Sequence, residues 1–364
     1  MRLQSVKMIR PARSTSSSKR PNILVFDATG TGHRANYVRT LSRALDADAV
    51  IGEPRSHVGS IVSYPIILFS TFETKPAQFT LLTAIRSLLG KRTILLLLRA
   101  KITDKQNRRL KTLVHLFLAT LPCVRILSIL PITESAHLVG RAYEIQDPEF
   151  WDIAVEKKMR ISTELSKDLL AKAAGRTIIL CAGGISGDKG MGFLSEMMMS
   201  SEWIAGKYLV CSIGEIGEDA RKDLDKIQSL GGYLVDRYVT DAELVSVFQQ
   251  ANYTWCCYPP ERDMSSGIFG RSCQFGCWPL VRAGSILEQI AASYGIGSAL
   301  PWDDAEAAVR ALSESEPRDF VIDTKREKNV ERLRSVVFDD QPDFVDLLTR
   351  AKCDNMGVLA QCVE

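Results

Sequence analysis

The 364-residue chain is poor in histidine, with four, and none of its nine cysteines stands in a Cys-x-x-Cys pair. That excludes the common zinc frameworks, so no metal site is expected. Cys123, Cys181, Cys211, Cys256, Cys257, Cys273 and Cys277 fall in apolar, strand-like or helix-like surroundings. Such placement predicts reduced, buried thiols in a cytoplasmic protein. Long hydrophobic runs are also missing. Residues 94–98 are five apolar positions, and 113–121 is interrupted by His115; a bilayer span needs about 18 or more. Acid is absent from the opening stretch, where residues 1–20 carry six basic side chains and no Asp or Glu. This arm lacks the apolar segment of a secretory signal and is expected to be a disordered basic tail, with a transit peptide or a membrane-surface contact as alternatives. Taking those six charges from the formal +3 leaves the remainder at −3. A folded part of that sign lacks the basic surface of a nucleic-acid binder.

What is present describes a globular α/β protein. Apolar residues make up 46% and charged residues 24%, and the length asks for two domains. Strands are expected over 22–27, 48–51, 65–69, 93–98 and 124–130, with helices over 34–45, 77–89 and 104–119 between them. Residues 131–151 read as irregular. The alternation then resumes, with strands at 177–181, 207–212, 233–235, 253–257 and 279–281. Helices are expected near 191–202, 218–230, 241–250, 269–276 and 286–294. Each half reads as a doubly wound sheet. The expected division is a basic arm over 1–20, a first domain over 21–150, a second over 151–340, and a helix in 341–364 that packs back on the first.

Three turns stand out. Gly183-Gly-Ile-Ser-Gly-Asp-Lys-Gly190 follows a buried strand and opens a helix, a geometry that favours phosphate, with Lys189 adding a charge. Ser265-Ser-Gly-Ile-Phe-Gly270 is a second small-residue turn into a helix. Two such turns suggest a diphosphate held between them. In the first half, Gly30-Thr-Gly-His33 also runs from strand to helix, with Ala35 and Glu53 at dinucleotide-fingerprint positions. Its third glycine is missing, and three residues separate Phe26 from Gly30. NAD binding, a plain strand-to-helix turn and a substrate loop are the readings it allows. The basic 105–111 stretch before the apolar 113–121 run reads as a half-buried core helix, or as a helix resting on an anionic membrane.

The second half resembles the GT-B glycosyltransferases, particularly the family-4-like retaining group. Gly183 to Gly190 looks like that family's Gly-Arg-x-x-x-x-Lys-Gly loop, and Asp236-Arg-Tyr-Val-Thr-Asp-Ala-Glu-Leu244 like its turn beside the nucleotide base. The segment from Ser265 to Val281 looks like the loop, helix and Gly-x-Pro-Val-Val strand that contact sugar, diphosphate and ribose. The resemblance implies two Rossmann-like domains facing across a cleft, and transfer of a sugar from a nucleotide-diphosphate donor to a saccharide, lipid-linked or small-molecule hydroxyl. It implies no metal and no further cofactor. Gly184, Lys189, Gly190, Ser265, Ser266, Gly267 and Arg271 would hold the diphosphate; Arg237, Tyr238 and Ser272 the base and ribose; Glu261 and Asp263 the sugar. Gly30, Thr31, Gly32 and His33 would form the acceptor loop, with His33 and Lys189 catalytic. The pattern departs at three places. The loop arginine is Gly184, the paired glutamates fall on Met264 and Ser272, and the glycine before the proline is Cys277. Arg271, Arg262 or Arg282 is available to replace the lost cation. A nucleotide-sugar epimerase and a non-catalytic relative acting as a binding protein stay open as alternatives.

Overall fold

The structure is a computed structural model that describes residues 22–29, 33–98, 108–132, 135–151, 161–318, 320 and 326–339. These fall into two compact units: residues up to Gln146 with those from Arg326 onward, and residues from Asp147 to Phe320.

The first unit runs β1 (Ile23–Asp27), α1 (His33–Leu45), β2 (Asp48–Ile51), α2 (Val58–Ser63), β3 (Ile66–Phe69), α3 (Pro76–Leu88), β4 (Arg92–Leu97), α4 (Arg108–Thr120), β5 (Val124–Ser128) and β6 (Ala142–Glu144). Its strands form one parallel sheet in the order β2-β1-β3-β4-β5-β6. Every residue of β1 is buried, as its uninterrupted apolar sequence requires of a strand covered on both faces. β6 lies inside the stretch read as irregular. It is a three-residue edge strand paired on one side only, too short to show a period.

The second unit runs α5 (Glu164–Ala173), β7 (Thr177–Ala182), α6 (Met191–Met199), β8 (Tyr208–Gly214), α7 (Glu218–Ser229), β9 (Tyr233–Asp236), α8 (Asp241–Phe248), β10 (Tyr253–Cys256), α9 (Gly267–Phe275), β11 (Trp278–Arg282), α10 (Ile286–Ser293), β12 (Ser298–Leu300) and α11 (Ala305–Glu314). Its parallel sheet has the order β12-β11-β10-β7-β8-β9. Thr163 and Thr240 close capping boxes on α5 and α8, each satisfying two helix-end donors. Six of the cysteines expected inside are buried, but Cys123 is exposed. It occupies the turn before β5 at φ +63°, which turns its thiol out of the core.

The last described helix, α12 (Arg326–Phe338), belongs with the first unit, although the sequence placed residues to 340 in the second. Leu333, Val336 and Val337 are buried. Arg92 Nη1 donates to the carbonyls of Val337 (2.9 Å) and Phe338 (2.7 Å), and Arg334 Nε to that of Ala44 (2.8 Å). Residues 341–364, where the returning helix was expected, lie outside the described residues.

Candidate nucleotide site

In the second sheet the chain winds from β7 outward to β9, then crosses back to β10 on the other side of β7 and winds on to β12. The C-terminal ends of β7 and β10 therefore flank a topological switch point, where open α/β sheets leave a crevice for ligand. The two turns singled out in the sequence leave the sheet here. Gly183 N donates to Ile213 O (3.1 Å), and an Ile185–Ile216 bridge ties the β7 loop to the exit of β8. A tight turn over Gly187–Lys189 then delivers Gly190 at φ +76° to the start of α6, whose N-terminus has no side-chain cap. A Cβ on Gly190 would stand 2.4 Å from the carbonyl oxygen of Cys257, so only glycine lets the two loops approach this closely. Trp255 Nε1, on β10, donates to Lys189 O (3.0 Å) and fastens them together.

This approach gathers two cations on one ring. Lys189 Nζ lies 4.9 Å from the centroid of Tyr258 and the Arg262 guanidinium 5.3 Å from it. Burial, and then the neighbouring Arg262 charge, lower the Lys189 pKa to about 8. Arg262 forms an ion pair with Asp188, while its Nε is buried with no hydrogen-bond partner among the described residues. Burial alone would raise the Asp188 carboxyl, but Ser186 and Arg262 outweigh it and its pKa lies below the ordinary value. Tyr258 OH shares a hydrogen bond with Ser266 Oγ (2.9 Å), which also caps α9 by accepting from Phe269 N (3.3 Å). A ring, two cations and an uncapped nine-residue helix N-terminus thus converge, an arrangement suited to an anion with several oxygens.

Of the residues expected at the diphosphate, Lys189, Gly190 and Ser266 meet here, with Gly267 opening α9 and Ser265 half-buried just before it. Gly184 is exposed on the β7 loop. One loop donor is already engaged, because Gly187 N donates to Asp219 Oδ2 (2.9 Å). Arg271 reaches Gln274 Oε1 (3.2 Å) on its own helix. Arg282 donates to Tyr258 O (2.9 Å) and pairs with Asp263 (3.4 Å). Of the three arginines offered as the substitute cation, Arg262 is the one that shares the Tyr258 ring with Lys189.

Five residues expected at the base, ribose and sugar are not among the cations that meet on the Tyr258 ring. Ser272 is fully buried and donates to Phe269 O (3.0 Å), because the register of α9 turns Phe269, Ser272 and Cys273 inward. Asp263 is buried and accepts from Ile286 N (2.8 Å) at the start of α10. Arg237 is engaged by Glu243 (2.6 and 3.2 Å), whose carboxyl it pulls down to about 2 with help from Thr240 N. Tyr238 beside it is 69% exposed, and Glu261 is exposed.

In the first unit the switch point falls between β1 and β3. Asp27, fully buried at the end of β1, accepts from Ser70 Oγ (2.7 Å) and Thr71 Oγ1 (2.5 Å) beyond β3, and from Thr29 N (2.8 Å). Sequence reasoning passed over this residue, although a carboxylate closing an apolar strand before a glycine turn is a readable signal. His33 begins α1, and Gly30, Thr31 and Gly32 lie outside the described residues. Among the described residues no group of three His, Cys, Asp or Glu side chains converges to hold a metal.

No family model matches the chain, and no curated protein matches it in sequence. Its fold, however, is shared with solved structures. Anabaena HepE, in complex with UDP-glucose, superposes with a TM-score of 0.57 at 11% identity, covering 86% of this chain and 99% of that one. Sucrose-phosphate synthase from Thermosynechococcus elongatus gives 0.57 at 12%, covering 93% and 100%. MnaA of S. aureus with UDP gives 0.53 at 10%, covering 89% and 100%. At such identities the likeness establishes the fold: two doubly wound α/β units of the GT-B class.

Proposed function

We propose that the protein is a glycosyltransferase that takes a sugar from a nucleotide-diphosphate sugar, with UDP as carrier, and passes it to a hydroxyl of a saccharide or lipid-linked saccharide. The observation that carries this reading is the pairing of Lys189 and Arg262 on Tyr258, at the switch point and the head of α6. The UDP ligands of HepE and MnaA favour that base. In this reading the diphosphate lies against the cations and the α6 N-terminus. As the glycosidic bond breaks, charge grows on the leaving diphosphate, and preorganised cations lower the barrier by meeting it there. Arg262 supplies what a loop arginine at Gly184 would have given, from the β10 loop instead. Tyr238, exposed past β9, is assigned to the base, and His33 with residues 30–32 to the acceptor. Retention of anomeric configuration follows from the family-4-like motifs and is part of the proposal.

The test is a thermal-shift panel of UDP, GDP, ADP and their sugars, followed by assay of nucleotide release. UDP and a UDP-sugar should raise the melting temperature most, since a ligand bound only by the folded state stabilises it. Slow release of free UDP from the matching UDP-sugar should accompany that shift. A shift without release would leave a binding protein, and no shift with any nucleotide would end the reading.

A further inference from the structure

The nucleotide site leaves one prominent feature unused, the outer face of α3 and α4. Both helices step the same way along the sheet, from β3 to β4 and from β4 to β5. Right-handed crossovers therefore place them on one side of it, where they pack against each other. Their inward positions are filled by Phe79, Leu82, His115 and Leu118. Their outward positions are apolar as well: Leu81, Ile85 and Leu88 at i, i+4, i+7 on α3, and Leu110, Leu113 and Phe117 at i, i+3, i+7 on α4. Leu88 is 88% exposed and Leu113 63%. A surface helix ordinarily presents polar residues there, and paired stripes of this kind mark an interaction surface.

The charges say what covers it. Neither helix contains an Asp or Glu. The one charged residue of α3, Arg86, is buried and spends its guanidinium on the carbonyls of Tyr64 and Arg92 and on Thr93 Oγ1. On α4 the exposed charges are Arg109 and Lys111, both cationic and both in the first turn. A second copy on this face would meet no acid to pair with those cations. A bilayer carrying anionic lipid satisfies both halves of the pattern, with the leucines and Phe117 in the acyl boundary and the cations among headgroup phosphates.

We infer that α3 and α4 form a peripheral membrane-binding face selective for anionic lipid. It is independent of the nucleotide reading, because vesicle binding needs no nucleotide. The experiment is sedimentation of the full chain with mixed phosphatidylglycerol and phosphatidylcholine vesicles, and with phosphatidylcholine alone. The protein should follow the mixed vesicles and be partly released by salt. The double variant L88Q/L113Q removes exposed side chains, so its melting temperature should hold while vesicle affinity falls about tenfold or more. R109Q and K111Q should each weaken binding about fivefold at low salt, the effect of one cation near an anionic surface. Absence of binding to either vesicle overturns the inference. So does undiminished binding of L88Q/L113Q, which would assign retention to the six basic residues of the first twenty. Self-association that the double variant abolishes, without vesicle binding, would make the face a dimer interface and overturn it equally.

Discussion

Lys189 serves two opposed demands. Half-buried beside Arg262, its ammonium destabilises the nucleotide-free fold, and for that reason its pKa falls from 10.5 to about 8. A bound diphosphate would reverse the balance. Lys189→Met should therefore raise the melting temperature of the free protein while weakening UDP binding by roughly 1.5–3 kcal/mol, the range for a hydrogen bond to a charged group. Uridine binding should stay unchanged; equal loss for uridine would move Lys189 away from the phosphates. The pH dependence has a definite sign. Between about 8 and 10.5 the unfolded chain holds the lysine proton more tightly than the folded one. Stability of the free protein should rise with pH across that window, and the rise should flatten in Lys189→Met. UDP affinity should fall over the same window as the ammonium is lost.

His115 gives a second residue-scale test in the first unit. It stacks on His137 with ring centroids 5.3 Å apart and Nδ1 3.1 Å from His137 Nε2. Burial, then the His137 and Lys111 charges, depress its pKa from 6.5 to about 4. A base held neutral in the fold contributes stability above pH 6.5 and loses it as pH falls toward 4, by about 3 kcal/mol in all. Urea unfolding at neutral and acid pH should show a smaller acid loss for His115→Phe. An undiminished loss would place the acid sensitivity elsewhere.

At the scale of elements, the site depends on how closely the β7 loop approaches the β10 loop. Gly190 meets Cys257 O and holds φ +76°, whereas a Cβ on Gly184 would meet nothing within 4 Å. Gly190→Ala should cost at least about 2 kcal/mol, combining left-handed strain with the clash, and should remove UDP binding. Gly184→Ala should change stability little. Equal losses would mean that the loops adjust freely. This contrast also shows where the sequence is readable. Runs such as Ile23 to Phe26 and Ile178 to Cys181 announce buried strands, and the glycine turns after them announce helix starts. Adjacency of β7 and β10, some seventy residues apart, has no local signal, and with it goes the meeting of Lys189, Tyr258 and Arg262. Motif spacing alone put Ser272 at a ribose and Asp263 at a sugar. The turn of α9 buries Ser272, and Asp263 accepts from the Ile286 N–H.

For the whole molecule, the described residues hold separate cores. In the first unit one is built around Phe26, Phe69 and Phe79, and in the second unit one is built around Trp255, Phe193 and Leu280, with no shared member. The first unit takes in the far end of the described chain, since α12 buries Leu333, Val336 and Val337, accepts from Arg92 at the carbonyls of Val337 and Phe338, and donates from Arg334 to Ala44 O. The nucleotide cluster lies wholly in the second. Val337→Asp should therefore act on one unit only. A carboxylate forced into that fully buried position costs at least about 3 kcal/mol, through lost burial and an uncompensated charge. UDP at about a hundredfold excess over its Kd contributes about 2.7 kcal/mol to whatever binds it. Calorimetry of the variant should show a lowered transition that ignores UDP and a second transition that UDP still raises. If one transition moves with both the mutation and the ligand, the cores unfold together and α12 stabilises the nucleotide unit as well.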